Sequence, residues 1–418
     1  MQGEKDYPAV KSAVYNAVCD RLVRYPGVDD GEVTKVIREC IVAHPLSVNL
    51  TARSRSRMCR ELFNRIRRFD VIQELLEDDS VTEIMVNGPD DIFVERYGKI
   101  EKTGLRFESA ERLADIIGKI AAGVNRTVNL TTPIMDARLA DGSRVNVILS
   151  PVAINGPILT IRRFPDHPID AGMLVSINSI TAEALAFMKD LVISGYNILI
   201  SGTTGCGKTT FLNVLSSFIP SDERIVTIED SAELQIREID NLVRLETRNA
   251  AVGGCGAITI RDLIKTALRM RPDRIIVGEV RGGEAIDMLQ AFNVGMDGSL
   301  STIHANSAGD AISRLETLVM LSTNIPVTAL RRQIASGIDI IVHLGRLRDK
   351  SRHVLEIAEV ITSPDNDTET RTLYQFKETG FMDGRIEGKL ILVNDLNNTE
   401  KLTRAGLLPK KCGEEDEA

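Results

Sequence analysis

Residues 202–209 read Gly202-Thr203-Thr204-Gly205-Cys206-Gly207-Lys208-Thr209 and fill every fixed position of the phosphate-loop pattern GxxxxGK[ST]. Glycines at these places let the backbone curl until successive N–H groups face one anion, and a helix starting at Lys208 adds the positive end of its dipole. Lys208 is then placed to reach β- and γ-phosphates. Thr209 offers a hydroxyl to Mg²⁺ bound on them, and Thr210 can assist from the next position. Cys206 stands at a variable position of the pattern, where its thiol could expose the site to alkylation or oxidation.

A triphosphate site needs acids to hold the metal and orient a water. Glu229-Asp230 follows the apolar run Ile225-Val226-Thr227-Ile228, and Glu279 follows Ile275-Ile276-Val277-Gly278. Both sets end predicted parallel strands, the edge at which open α/β sheets bind ligands. Glu279 is the first choice for positioning or deprotonating the water, whereas Glu229 and Asp230 are assigned to Mg²⁺ or its water shell. His304 ends the run Ser301-Thr302-Ile303 and should emerge on the same edge. An imidazole there can sense a γ-phosphate or simply cap a strand.

Such residues need a sheet to hold them. Strands at Asn197–Ser201, Ile225–Glu229, Arg274–Gly278 and Leu300–Ile303 alternate with helices from Lys208, over Thr259–Met270 and from Glu284. That alternation predicts a mainly parallel sheet with helices on its faces. A helix near Val327–Ser336 then precedes three antiparallel strands, at Ile338–Leu344, Val354–Thr362 and Arg371–Phe376. Upstream, apolar residues at helical spacing (Val14, Val18, Leu22; Val33, Ile37, Ile41) mark a small helical unit over residues 1–69. Its last segment, Arg53 to Arg68, sets Met58, Leu62 and Ile66 on one stripe with arginines elsewhere, either a solvated face or a partner-binding surface. Short β-like runs mixed with helix over 70–165 indicate an α+β domain, and the turn-rich residues 166–178 a linker. The strand–helix alternation occupies 179–395, and an acidic, partly disordered tail is expected over 396–418.

Composition limits the alternatives. Six cysteines without CxxC spacing argue against a zinc module and a disulfide framework. A net charge of −8, no Trp and 4% aromatics disfavour a nucleic-acid motor. The chain has neither a signal-peptide core at its start nor an apolar run of about 18 residues, so a cytoplasmic protein is expected.

Four blocks stand in order: GTTGCGKT at 202–209, TIED at 227–230, VGEVR at 277–281 and STIHAN at 301–306. They resemble the Walker A, Asp box, Walker B and His box of the secretion ATPases that drive type II secretion, type IV pili and type IV secretion. The phrases DARLADGSRVN, ILTIRRF and LRMRPDRIIVGEVR are most similar to the CpaF-like branch of Flp/Tad pilus assembly. The resemblance implies an α/β fold, a RecA-like P-loop NTPase core with a preceding α+β domain and a small N-terminal helical domain. It further implies ATP and Mg²⁺ at Lys208 and Thr209, Glu279 as the Walker B acid, His304 beside the γ-phosphate and a homo-hexamer. Arg138, Arg144, Arg162 and Arg163 are the matching candidates for arginines that reach the phosphates from the α+β domain. Arg248, Arg269 and Arg271 are weaker candidates for a subunit boundary. The implied partners are an inner-membrane platform protein and, through it, pilin or an export substrate, with the protein on the cytoplasmic face of the membrane.

Overall fold

Period-2 apolar runs between Val81 and Arg162 pair into a six-stranded antiparallel sheet: β1 (Val81–Asn87), β2 (Ile92–Arg96), β3 (Lys99–Lys102), β4 (Ile134–Arg138), β5 (Arg144–Ile148) and β6 (Ile158–Arg162), in the order β3-β2-β1-β6-β5-β4. One face, carrying Ile84, Val86, Val145, Val147, Leu159 and Ile161, is buried in a core shared with Leu113, Ile117 and Ile120 of the helix Ala110–Gly123. Ser109 caps that helix by accepting from Arg112 N. The computed structural model describes residues 7–23, 27–96, 98–163, 169–248, 256–363, 367–382 and 384–408. The chain divides into two compact units, residues 1–166 and 167–418.

The helices Tyr7–Leu22, Asp30–Ala43 and Ala52–Arg67 open the first unit. Valines at i, i+4 and i+8 of the first (Val10, Val14, Val18) meet Ile37, Met58 and Leu62 in a separate apolar cluster. Polar contacts join that cluster's helices to the sheet region: Arg112 pairs with Asp70 at 2.6 Å, and Lys119 donates to Arg68 O at 2.9 Å.

The second unit holds a nine-stranded sheet: β7 (Ile198–Gly202), β8 (Ile225–Glu229), β9 (Leu242–Glu246), β10 (Arg274–Val280), β11 (Leu300–Ile303), β12 (Ile340–Arg346), β13 (Arg352–Thr362), β14 (Thr368–Met382) and β15 (Arg385–Leu392). Their order is β15-β14-β13-β12-β7-β11-β10-β8-β9. The six from β12 to β9 are mutually parallel and β13–β15 close the other side antiparallel. Ile198 and Ile200 face the helices Ala182–Ile193 and Lys208–Ser216, while Leu199 faces Ile260–Ala267, Glu284–Asn293, Ala308–Met320 and Val327–Gly337. Burial on both faces is why these strands read as unbroken apolar runs.

Three features exceed the sequence reading. β9 and β15 exist, β14 runs well beyond Arg371–Phe376, and Ala308–Met320 is a helix capped by Ser307. Within 166–178, residues 171–176 form a helix capped by Asp170 with Leu174 buried; residues 164–168 lie outside the described residues. The start of the expected tail is ordered. Leu396 and Leu402 are buried, and the Glu359 carboxylate accepts from Asn397 N and Asn398 N at 2.9 and 2.7 Å. Lys401 binds Asp297, Asp339 and Gly195 O at 2.8–3.0 Å. Residues 409–418 lie outside the described residues. Among the described residues no helix is long and apolar enough to cross a membrane.

Candidate nucleotide site

β7 ends at the phosphate loop, and the loop geometry explains its glycines. Gly202 has φ +154°, and a Cβ there would meet Cys206 Sγ and Leu344 O at 2.5 Å. Gly207, at φ +98°, leads into the nine-residue helix Lys208–Ser216, whose start has no side-chain cap. Its first N–H groups are therefore left for an outside acceptor. Thr203, Thr204 and Gly205 are exposed at the turn, while Thr209 and Thr210 sit half-buried in the first helical turn. Cys206 is fully buried and burial pushes its thiol pKa up, which counts against the alkylation its position suggested.

Lys208 is 8% exposed. Its Nζ contacts Gly202 O at 3.0 Å, Thr203 O at 3.2 Å and His304 Nδ1 at 3.3 Å, none of them a carboxylate. Burial lowers its pKa, the signature of a cation short of an opposing charge. His304 Nε2 in turn lies 2.7 Å from Glu279 Oε1. Accepting from Lys208 at Nδ1 leaves the imidazole proton on Nε2, although Glu279 Oε1 has no hydrogen-bond partner among the described residues, and burial followed by the Lys208 charge lowers the His304 pKa. One extra residue on β10 between Val277 and Val280, where the register against β11 shifts, re-aims the strand at Glu279. Glu279 Oε2 is held by Arg281 Nη2 at 2.6 Å, and Arg281 Nη1 lies 3.8 Å from Asp230 Oδ2. Lys208, His304, Glu279, Arg281 and Asp230 thus form one chain along the C-terminal edge of the parallel strands. Arg281 was quoted in the VGEVR block but given no role there; only the fold reveals it as the bridge between two acids.

Glu229 differs from Glu279. It is 3% exposed, its Oε1 accepts from Glu233 N and Leu234 N at 2.8 and 2.9 Å, and its Oε2 has no partner among the described residues. Burial raises its pKa from 4.5 to about 7 against the lowering effect of those backbone donors. A carboxyl whose folded pKa is raised stabilises the fold fully below about pH 4.5, and that contribution is lost as pH climbs through about 7. Nucleotide-free protein should therefore lose on the order of 3 kcal/mol between these limits, and Glu229→Gln should flatten the dependence. Melting temperatures across that range check this; parallel curves for the two proteins would refute it.

The residues fit a bound Mg²⁺–triphosphate in three respects. The loop closes to a width that a Cβ at 202 would fill, a buried lysine faces no carboxylate, and one Glu229 oxygen is unpartnered. Among the described residues no group of three or more His, Cys, Asp or Glu could hold a metal by itself. A Mg²⁺ here would rest on Thr209 and phosphate oxygens, with the acids at the strand ends acting through water.

In the first unit, the strand register lines up Arg138, Arg144 and Arg162 as direct cross-strand neighbours on β4, β5 and β6. They occupy the face opposite the helix-covered one, and Glu83 and Glu95 continue the row on β1 and β2. Arg138 Nε donates to Gly142 O at 3.0 Å and Arg144 lies 3.8 Å from Asp136, but the three like charges still stand side by side, a repulsion that an anion would relieve. Arg163 points elsewhere. Its guanidinium donates to Asp78 O and to Val81 O, the latter at 3.1 Å, and approaches Asp79 at 3.6 Å. Arg163→Ala should destabilise the protein by ~1–3 kcal/mol, whereas Arg144→Ala should leave the melting temperature unchanged or raised, by differential scanning fluorimetry. Arg248 Nε donates to Gly256 O at 2.8 Å; Arg269 and Arg271 are exposed.

The family model described as type II/IV secretion system protein matches residues 67–405. The chain belongs to that family. A putative conjugal transfer protein of Mycobacterium tuberculosis, MT3759, is 35% identical over 294 residues, 69% of this chain and 83% of its own length. The conjugal transfer protein TrbB of Rhizobium radiobacter is 32% identical over 330 residues, 78% of this chain and 97% of its own. The X-ray structure of the Legionella pneumophila ATPase DotB covers 70% of this chain and 80% of its own at 21% identity and a TM-score of 0.48. All four motif blocks fall inside the type II/IV secretion span and on the nine-stranded sheet of the second unit.

Proposed function

We propose that this secretion-family protein is an ATP hydrolase whose turnover drives domain motion. The observation that carries the reading is Lys208, a buried cation at an uncapped helix start, facing backbone carbonyls and His304 instead of an acid. Lys208 and the loop N–H groups bind the phosphates. Glu229 is the better general base: a carboxyl titrating near 7 with a free oxygen suits proton abstraction from water at neutral pH. Glu279, already engaged by His304 and Arg281, orients those groups and the metal's water shell. A bound Mg²⁺ would neutralise developing phosphate charge.

Arg138, Arg144 and Arg162 supply positive charge from the α+β region in one domain arrangement and not in another. Only such differential binding converts hydrolysis into motion. By its CpaF-like phrases we assign the chain to a homo-hexameric motor of Flp/Tad pilus assembly, acting on an inner-membrane platform protein from the cytoplasmic face. Relatives named for conjugal transfer favour a second reading, a type IV secretion or conjugation ATPase. Magnesium-dependent phosphate release measured against oligomer size tests the motor, and no stimulation by DNA or RNA is expected. A ring that assembles with nucleotide but does not turn over would overturn it. Co-purification with a pilus platform protein, as opposed to a conjugation channel component, separates the two machines.

A further inference from the structure

The helices Asp30–Ala43 and Ala52–Arg67 leave between them a groove of about 520 Å³ that neither the secretion-family span nor the nucleotide site uses. Its floor is apolar, with Ile41 at 3% exposure, Phe63 half-buried and Val42 standing 72% exposed at the margin. Its rim is basic, carrying Arg38 from one helix and Arg55 and Arg60 from the other. The helix Ala52–Arg67 has six arginines against one acid, Glu61. Several arginines are paired locally: Arg57 with Glu61, Arg60 with Glu74 at 3.1 Å, Arg65 with Glu108, and Arg67 with Asp30. The groove's own lining carries three arginines and no acid.

We propose that this groove docks an acidic amphipathic helix of a partner protein, as a fourth helix laid on the bundle. The apolar floor needs apolar anchors at i, i+3/i+4 and i+7, and the arginine rim needs carboxylates beside them. Both demands are met by one helix of about 14 residues, the length of the two walls at 1.5 Å per residue. A nucleic-acid backbone satisfies the rim but not the floor. A flat anionic bilayer reaches the rim while the floor stays recessed. The proposal is independent of ATP chemistry.

The test uses the full chain and a fluorescent synthetic peptide of about sixteen residues, with Leu at the anchor positions and Glu at most others. A control peptide carries Lys in place of Glu. The acidic peptide should bind at least about tenfold tighter than the basic one and weaken about tenfold with Val42→Glu or with the Arg38→Glu/Arg55→Glu pair. Raising salt from about 0.05 to 0.5 M should weaken it as well. Val42 is exposed, so Val42→Glu should keep its melting temperature and its basal ATP turnover. Equal binding of both peptides, or unchanged binding by Val42→Glu, overturns the proposal. So does capture of phosphatidylglycerol vesicles without peptide binding, or a Val42→Glu effect confined to oligomer size, which would mean a second copy fills the groove.

Discussion

Lys208→Ala is expected to abolish ATP turnover, by at least ~10³-fold, and to remove magnesium-dependent nucleotide binding with it. The ammonium is the one buried cation in the loop, and the positive end of the following helix cannot replace its reach to the outer phosphates. Nothing in the core rests on it: its partners are two loop carbonyls and an imidazole, so the variant should fold. Calorimetry with Mg-ATP on assembled protein, together with phosphate release, measures both effects. Normal turnover would remove the role given to Lys208, and absence of magnesium-dependent uptake in the unaltered protein would remove the nucleotide site altogether.

Glu229→Gln is expected to keep nucleotide affinity within a few-fold and to lose 10²–10⁴ in turnover, roughly the worth of a positioned base. Glutamine is isosteric and can still accept from Glu233 N and Leu234 N, so the loop stays in place while proton abstraction stops. Glu279→Gln should also bind nucleotide and lose hydrolysis, but for a different reason, because it frees Arg281 and His304. The pH profile divides the two. Residual turnover in Glu279→Gln should still rise with pH through about 7, following the Glu229 carboxyl, whereas Glu229→Gln should lack that limb. If the limb survives in Glu229→Gln and vanishes in Glu279→Gln, the base is Glu279, the first choice on sequence grounds.

The base proposed here, Glu229 in place of Glu279, illustrates what a linear pattern can carry. The phosphate loop and its flanking strand and helix were legible because parallel strands buried on both faces leave continuous apolar runs, and the turn demands glycine at fixed places. Both acids stood out as strand ends. The division of labour proposed for them did not, since it rests on Glu229 lying close under Gly278 and on a bulge next to Glu279. The helix Ala308–Met320 was hidden by small residues, Ala308 and Ala311, that blur its apolar stripe, although Ser307 and Asp310 spell its cap. β9 was inconspicuous because an edge strand needs less burial. The alignment of Arg138, Arg144 and Arg162, with Arg163 turned away, follows from antiparallel register, which sequence spacing alone does not specify.

Tyr196, whose hydroxyl donates to Asn398 O at 2.6 Å, forms with Glu359 and Lys401 a latch that has a practical consequence. Its anchor points, Gly195, Asp297 and Asp339, precede β7, β11 and β12, so it fastens the turn at Lys401 beneath the sheet, on the rim remote from the phosphate loop. Cargo fused after residue 408 would hang from that underside, leaving the loop clear for immobilised or fluorescently labelled enzyme.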